Sequence, residues 1–238
     1  MTALDFLALY TIPDALAVGT LLLAWLAIGW RIEHPAANRP SVSMLMAEYR
    51  REWLRKMAER GTRIFDAQIL GTLRAATSFF ASSTMIAIGG VAALLGNSEE
   101  LRGVATDLGV AELTSARAPV VFWEVKLCLI GFFLVNAFLK FVWSNRLFGY
   151  CAVLMGAIPN RTDDPKAIPR ALKAAEINIF AARSFNRGLR SIYFALAATG
   201  WFLGPYGLLA ATLATCALLW RREFASQSRE TLLQTEDD

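Results

Sequence analysis

Five apolar runs alternate with charged stretches along the chain. The first, IPDALAVGTLLLAWLAIGW, covers 12–30 and carries no charge for sixteen residues after Asp14. Crossing the hydrocarbon takes about 20 residues of helix, with a working range of roughly 17–25. The run therefore predicts a transmembrane helix. Four more follow at 79–96, 121–143, 188–203 and 206–220. No alternating strand-like stretch competes with them. The pattern predicts an all-α, polytopic helical membrane protein with five spans in a single domain, 1–225, and a polar tail, 226–238.

Polar segments between the runs predict further helices. In SMLMAEYRREWLRKMAERG, Met46, Tyr49, Trp53 and Met57 recur at helical spacing, with Arg50, Arg51, Arg55 and Lys56 between them. This is the pattern of a basic amphipathic helix, lying on the membrane surface or against other inner segments. Residues 161–169 predict a loop with two prolines. After it, ALKAAEINIFAARSFNRGLRSIYFALAA reads as one helix passing from the inner side into the membrane. Its alanines, among them Ala171, Ala174 and Ala175, permit close helix contact. Glu176 with Arg183, and Asn178 with Asn186, set polar atoms along one stripe of it.

Charge gives these elements a direction. Residues 31–75 hold nine Lys or Arg against five Asp or Glu, and 144–190 hold eight against three. Residues 97–120 hold only two basic against four acidic. Lys and Arg favour the cytoplasmic side. One topology puts every basic segment inside: N-terminus outside, C-terminus cytoplasmic, with Arg221 and Arg222 closing the last span. Gly204-Pro205 is then the outer turn of a helical hairpin. The competing reading is a single kinked span over 189–220. The leader before Pro13 has no Lys or Arg, so a retained anchor is expected rather than a cleaved signal.

Composition sets the class and removes several chemistries. Hydrophobic residues make up 55% and charged residues 18%, below the quarter usual in soluble domains. The net charge of +4 follows the topology, and no groove or aromatic platform for nucleic acid is visible. One histidine, His34, excludes a bis-His haem within one chain. Cys128, Cys151 and Cys216 have no CxxC spacing and read as packing residues. No phosphate loop, GxSxG or HExxH is present. No catalytic residue, cofactor or metal is expected.

The candidate sites are polar groups within or beside apolar sequence. Ser78 and Ser82 share one face at the start of the second span. Asn136 and Lys140 share another in the third. Lys140 sits deep if that helix continues toward Ile158, and an ionisable group at depth merits a functional hypothesis. Asp14, Glu124 and Lys126 can each be placed near an interface. Arg183, Asn186 and Arg187 precede the fourth span, Arg190 lies at its start, and all four are expected to face lipid head groups. These residues frame three expectations. The first is an accessory membrane protein that associates with itself or a membrane complex. The second is a small oligomeric transporter with a path along Ser78, Ser82, Asn136 and Lys140. The third is an interfacial enzyme holding an anionic lipid through Arg183, Arg187 and Arg190, with Glu176 or Asp66 as its carboxylate.

Three pieces of the chain carry a resemblance to a known family. They are REWLRKMAERGTRIFDAQILGTLRAATSFFASSTMIAIGG from Arg51, FVWSNRLFGYCAVLMGAIP from Phe141, and AARSFNRGLRSIYFALAATGWFLGPYGLLAATLATCALLWRREF from Ala181. They resemble bacterial integral membrane proteins grouped as domain of unknown function 599. The resemblance implies a multi-span protein of the bacterial inner membrane with basic cytoplasmic segments. It implies no reaction.

Overall fold

The computed structural model describes residues 11–100, 103, 120–161 and 163–234. Among them there are helices and no strand. In chain order these are α1 (Ile12–Glu33), α2 (Val42–Glu59), α3 (Ile64–Gly96), α4 (Val120–Gly156) and α5 (Ala167–Thr199). A 3-10 turn (Gly200–Leu203), α6 (Pro205–Phe224) and α7 (Gln227–Leu233) follow. Three of them, α1, α3 and α4, are long and apolar enough to cross a membrane. Most of the expected acidic segment 97–120 lies outside the described residues, as do the first ten residues and the end of the tail.

Two compact units divide the chain. The first comprises the described residues of Met1–Arg31, Thr84–Asn136 and Arg190–Trp220. The second comprises Ile32–Ser83, Ala137–Leu189 and the described part of Arg221–Asp238.

In the first unit, α1 buries Asp14, Ala17, Leu21 and Ile28, one stripe at helical spacing. Its opposite side exposes Leu16, Leu23, Leu26 and Trp30, each 60% exposed or more. A continuous apolar outer face suits lipid rather than water. Trp25 meets Phe133 edge-on at 5.3 Å, and Trp123 stacks on Phe202 at 5.8 Å. The fourth and fifth runs form a hairpin. Gly204 has φ 91°, a backbone that glycine adopts without strain. Gly200 and Gly207 then pack backbone on backbone: a Cβ on Gly200 would stand 2.8 Å from the Gly207 carbonyl oxygen and 2.9 Å from the Ala211 Cβ. A straight helix would separate residues 200 and 211 by roughly 16 Å.

The second unit has a core of Leu54, Met57, Leu70, Phe148, Cys151 and Met155 closed by Ala171, Ala174 and Ala175. The alanines of α5 let other elements reach its backbone. Ser144 donates to the Ala181 carbonyl at 2.7 Å, and the Cys151 thiol to the Ala174 carbonyl at 3.5 Å. Gly188 seats the Phe141 ring, which a Cβ would meet at 2.6 Å. The hairpin shows here too. The Ser43 hydroxyl accepts from Asn186 on α5 at 3.3 Å and donates to Glu223 on α6 at 3.0 Å. In one straight helix those two residues would lie about 55 Å apart.

Several expected elements shift. α4 is one helix of 37 residues, so the third run and the apolar stretch after it are continuous. At roughly 55 Å it outruns the hydrocarbon thickness of about 30 Å. Pro169 belongs to the first turn of α5, where proline removes no helical hydrogen bond. Within the polar tail, Ser226 caps α7 by accepting from the Arg229 N–H at 3.2 Å. The buried face of α2 is Ala47, Leu54, Met57 and Ala58, while Met46 and Tyr49 are exposed. The amphipathic helix therefore packs against inner segments through a face rotated from the one its large apolar residues suggest.

Candidate functional site

Among the described residues, Lys126 is the fully buried lysine. It lies on the α4 stripe Trp123, Lys126, Ile130 and Phe133, all buried, and is itself 0% exposed. Its position near the helix end suits an interface, but its azimuth turns it inward. The ammonium donates to the Trp201 carbonyl at 2.9 Å. Around it stand the rings of Phe122 (4.2 Å), Trp123 (5.2 Å) and Trp201 (5.6 Å), whose faces attract a cation. The Trp201 indole N–H in turn donates to Asp14 at 2.8 Å. Asp14 also forms half of the capping box of α1, accepting from the Thr11 hydroxyl at 2.6 Å and its N–H at 3.2 Å, while the Thr11 hydroxyl accepts from the Asp14 N–H at 3.3 Å. Trp201 thus joins a buried cation, through its carbonyl, to a buried carboxylate, through its indole. The Trp123 indole N–H has no hydrogen-bond partner among the described residues. Hydropathy hides this group, because a helix apolar on all sides gives no azimuth. Its one sequence signal is that Lys126 falls three residues after Trp123 and four before Ile130.

The other candidate polar residues lie in both units. In the first unit, Asn136 accepts from the buried Ser191 hydroxyl at 3.0 Å. Arg190 is buried beside Gly29, where a Cβ would stand 3.7 Å from its Nε. In the second unit, Lys140 is half-buried, and its carbonyl takes the Ser184 hydroxyl at 2.9 Å. Asn136 belongs to the first unit and Lys140 to the second. Ser78 and Ser82 are exposed on α3. Arg183 stands 5.8 Å from the Phe180 ring. Asn186 is held by Ser43, and Arg187 pairs with Glu33, its Nε at 2.8 Å.

The polar stripe of α5 is partnered by other elements rather than by itself. Glu176 accepts from Arg51 at 2.6 Å, not from Arg183. Asn178 accepts from Arg50 and donates to Cys151, not to Asn186. Residues seven or eight apart are more than about 10 Å apart along the axis. Burial pulls the Arg50 guanidinium below its ordinary range, with the Cys151 thiol acting in the opposite direction. Asp66 accepts from the Trp53 indole at 2.7 Å and from Arg60 at 3.0 Å. Each candidate carboxylate of the interfacial enzyme has another arginine as its partner, Arg51 for Glu176 and Arg60 for Asp66.

A cleft of about 400 Å³ opens in the second unit, lined by Met57, Arg63, Leu70, Arg74, Met155 and Asn160 among others. Nothing in the sequence marked Arg63 or Arg74 off from the other inner arginines. Among the described residues, no three side chains of His, Cys, Asp or Glu gather as metal ligands.

A family model described as a protein of unknown function, DUF599, matches residues 16–228. No curated protein and no solved structure matches the chain.

Proposed function

The chain belongs to the DUF599 family, which carries no reaction to transfer, and from that premise we propose that it is a non-catalytic accessory protein of the bacterial inner membrane. Five spans cross: α1, α3 and α4, then the hairpin formed by α5 with its 3-10 turn and α6. The N-terminus is outside and the C-terminus cytoplasmic, which keeps every basic segment on the inner side. The protein works as a subunit, packing against copies of itself or other membrane chains.

One observation carries this reading. Four of the inner arginines are tied to their own chain: Arg51 to Glu176, Arg187 to Glu33, Arg60 to Asp66, and Arg63 to two backbone carbonyls. Arginines fixed this way brace helices and keep little capacity for a reacting substrate. A transport reading keeps one point of support. Ser78 and Ser82 face outward, so a polar path would have to form between copies.

Native mass spectrometry of the protein released in a mild detergent tests the proposal. An assembly of more than one chain is expected. A bare monomer would overturn the subunit role. A ring of copies that conducts ions in liposomes would replace it with transport.

A further inference from the structure

The cleft of the second unit combines fixed charge with an apolar wall. α3 and the residue before it turn Arg63, Leu70, Gly71 and Arg74 toward it, and Met155 and Asn160 line the other side. Arg63 is anchored: it donates to the Ile158 carbonyl at 2.8 Å and the Pro159 carbonyl at 2.6 Å. Those contacts leave its positive charge unneutralised. The Arg74 guanidinium makes no ion pair and no hydrogen bond among the described residues, and Arg74 is exposed. Among the described residues, no carboxylate lines the cleft. Two cations roughly 16 Å apart along the helix, with methionine and leucine between them, suit an anion that carries an apolar body.

The position along α3 narrows the ligand. Phe79, five residues beyond Arg74, opens the apolar run and is 66% exposed. Ser78 stands one turn beyond Arg74 on nearly the same side, and Ser82 one turn further. The order from the inner end is therefore guanidinium, hydroxyl, apolar face. An inner-leaflet phospholipid presents phosphate, ester oxygens and acyl chain in the same order. About 400 Å³ is the size of a small-molecule site, so it takes a head group while the chains stay outside along α3.

We propose that this cleft binds the head group of an anionic membrane phospholipid, with Arg74 on the phosphate and Arg63 and Asn160 toward the polar end of the head. Uncommitted Arg74 reaches the phosphate bidentately. Anchored Arg63 supplies a fixed positive potential that favours an anionic head over a zwitterionic one. The proposal stands apart from the accessory role, since a monomer could hold the lipid equally well.

The test uses full-length protein stripped of lipid in a neutral detergent. It is titrated separately with a short-chain phosphatidylglycerol, phosphatidylcholine with the same chains, and inorganic phosphate. Native mass spectrometry reads the adduct, and the subunit number comes independently from the same spectrum. Phosphatidylglycerol should bind at least tenfold more tightly than phosphatidylcholine, and inorganic phosphate only weakly. Arg74→Gln should weaken the phosphatidylglycerol adduct about tenfold. Gly71→Trp should abolish it, because a Cβ there meets nothing within 4 Å and the indole can fill the cleft. Arg161→Gln, an exposed control paired with Asp163, should change nothing. Equal binding of the two lipids would overturn the proposal, as would phosphate binding as tightly as lipid. So would wild-type affinity in Gly71→Trp, or in Arg74→Gln. If one variant fails to fold, the other decides.

Discussion

The two units bury polar groups in opposite ways. In the first, a lysine and an aspartate are buried, and one tryptophan stands between them. Most of what surrounds the ammonium is aromatic. In the second, charge is met many times over: Arg51 with Glu48 and Glu176, Arg60 and Trp53 with Asp66, Ser43 with Glu223 and Asn186. Those pairs are mostly half-exposed. The contrast is one of redundancy. Losing one partner in the second unit leaves others and solvent; losing the Trp201 carbonyl in the first leaves the buried ammonium facing aromatic rings. Low dielectric makes the first arrangement far less forgiving.

The sharpest way to break the contrast is Asp14→Ala. It removes the acceptor of the Trp201 indole, half of the α1 capping box and the charge that opposes Lys126. Asp14 and Lys126 make no direct ion pair, so the direct loss is that of a buried hydrogen-bond acceptor, and leaving the Trp201 indole unsatisfied costs about 1–3 kcal/mol. Thermal unfolding in detergent should show a larger loss than removal of any single polar partner in the second unit. Adding Lys126→Met should restore part of it, because the uncompensated cation is then gone while a similar apolar volume remains. A double variant as unstable as the sum of the two singles would show that the groups are not coupled.

The glycines extend the comparison to packing. Gly200 seats backbone against backbone, whereas Gly188 seats an aromatic ring. Gly200→Ala would press a methyl against the Gly207 carbonyl, which can move only if the hairpin opens. Gly188→Ala would press on Phe141, a buried ring that also contacts Phe80 and Phe185 at 5.5 and 5.4 Å. Overpacking costs typically about 1–3 kcal/mol. Gly200→Ala should fall at the upper end of that range and Gly188→Ala lower, read by the same unfolding assay. Equal losses would mean that the ring is as immobile as the turn.

Hydropathy located the apolar runs because spanning length is a property of sequence alone. α5 was legible as a single long helix, and its alanines as close-contact positions, for the same local reason. Three features depended on azimuth or on distant partners. Lys126 was placed by its height along the helix, which says nothing about the side it faces. Met46 and Tyr49 are large and apolar, yet smaller Ala47 and Ala58 occupy the buried face of α2, where packing is tight. Gly204-Pro205 reads as a turn from the charge pattern, but a kinked span stays open until Gly200 and Gly207 are seen in contact. The candidate site residues were chosen by type and spacing, and their partners were not legible in the sequence. Asn136, Asn186 and Arg187 each have a definite partner, supplied by α5, the start of α2, or α1, and no helical spacing reveals a partner on another element.

The smallest expected effect tests whether the second unit is as redundant as its network suggests. Arg51 contacts both Glu48 and Glu176, and these two hold its guanidinium above its ordinary range, with the Glu176 hydrogen bond the leading cause. That range lies far above neutral pH, so Arg51 stays charged at every working pH and titrates nothing. The side chains of Arg51 and Glu176 are 35% and 42% exposed, and exposed pairs are worth about 0.2–1 kcal/mol. Glu176→Gln should therefore cost no more than this at low salt. The cost should shrink further at about 1 M salt, where the screening length falls to about 3 Å. Glu48 remains to hold Arg51 in the variant. A loss as large as that of Asp14→Ala, insensitive to salt, would mean that Glu176 is a keystone rather than one of several interchangeable contacts, and the difference between the two units would disappear.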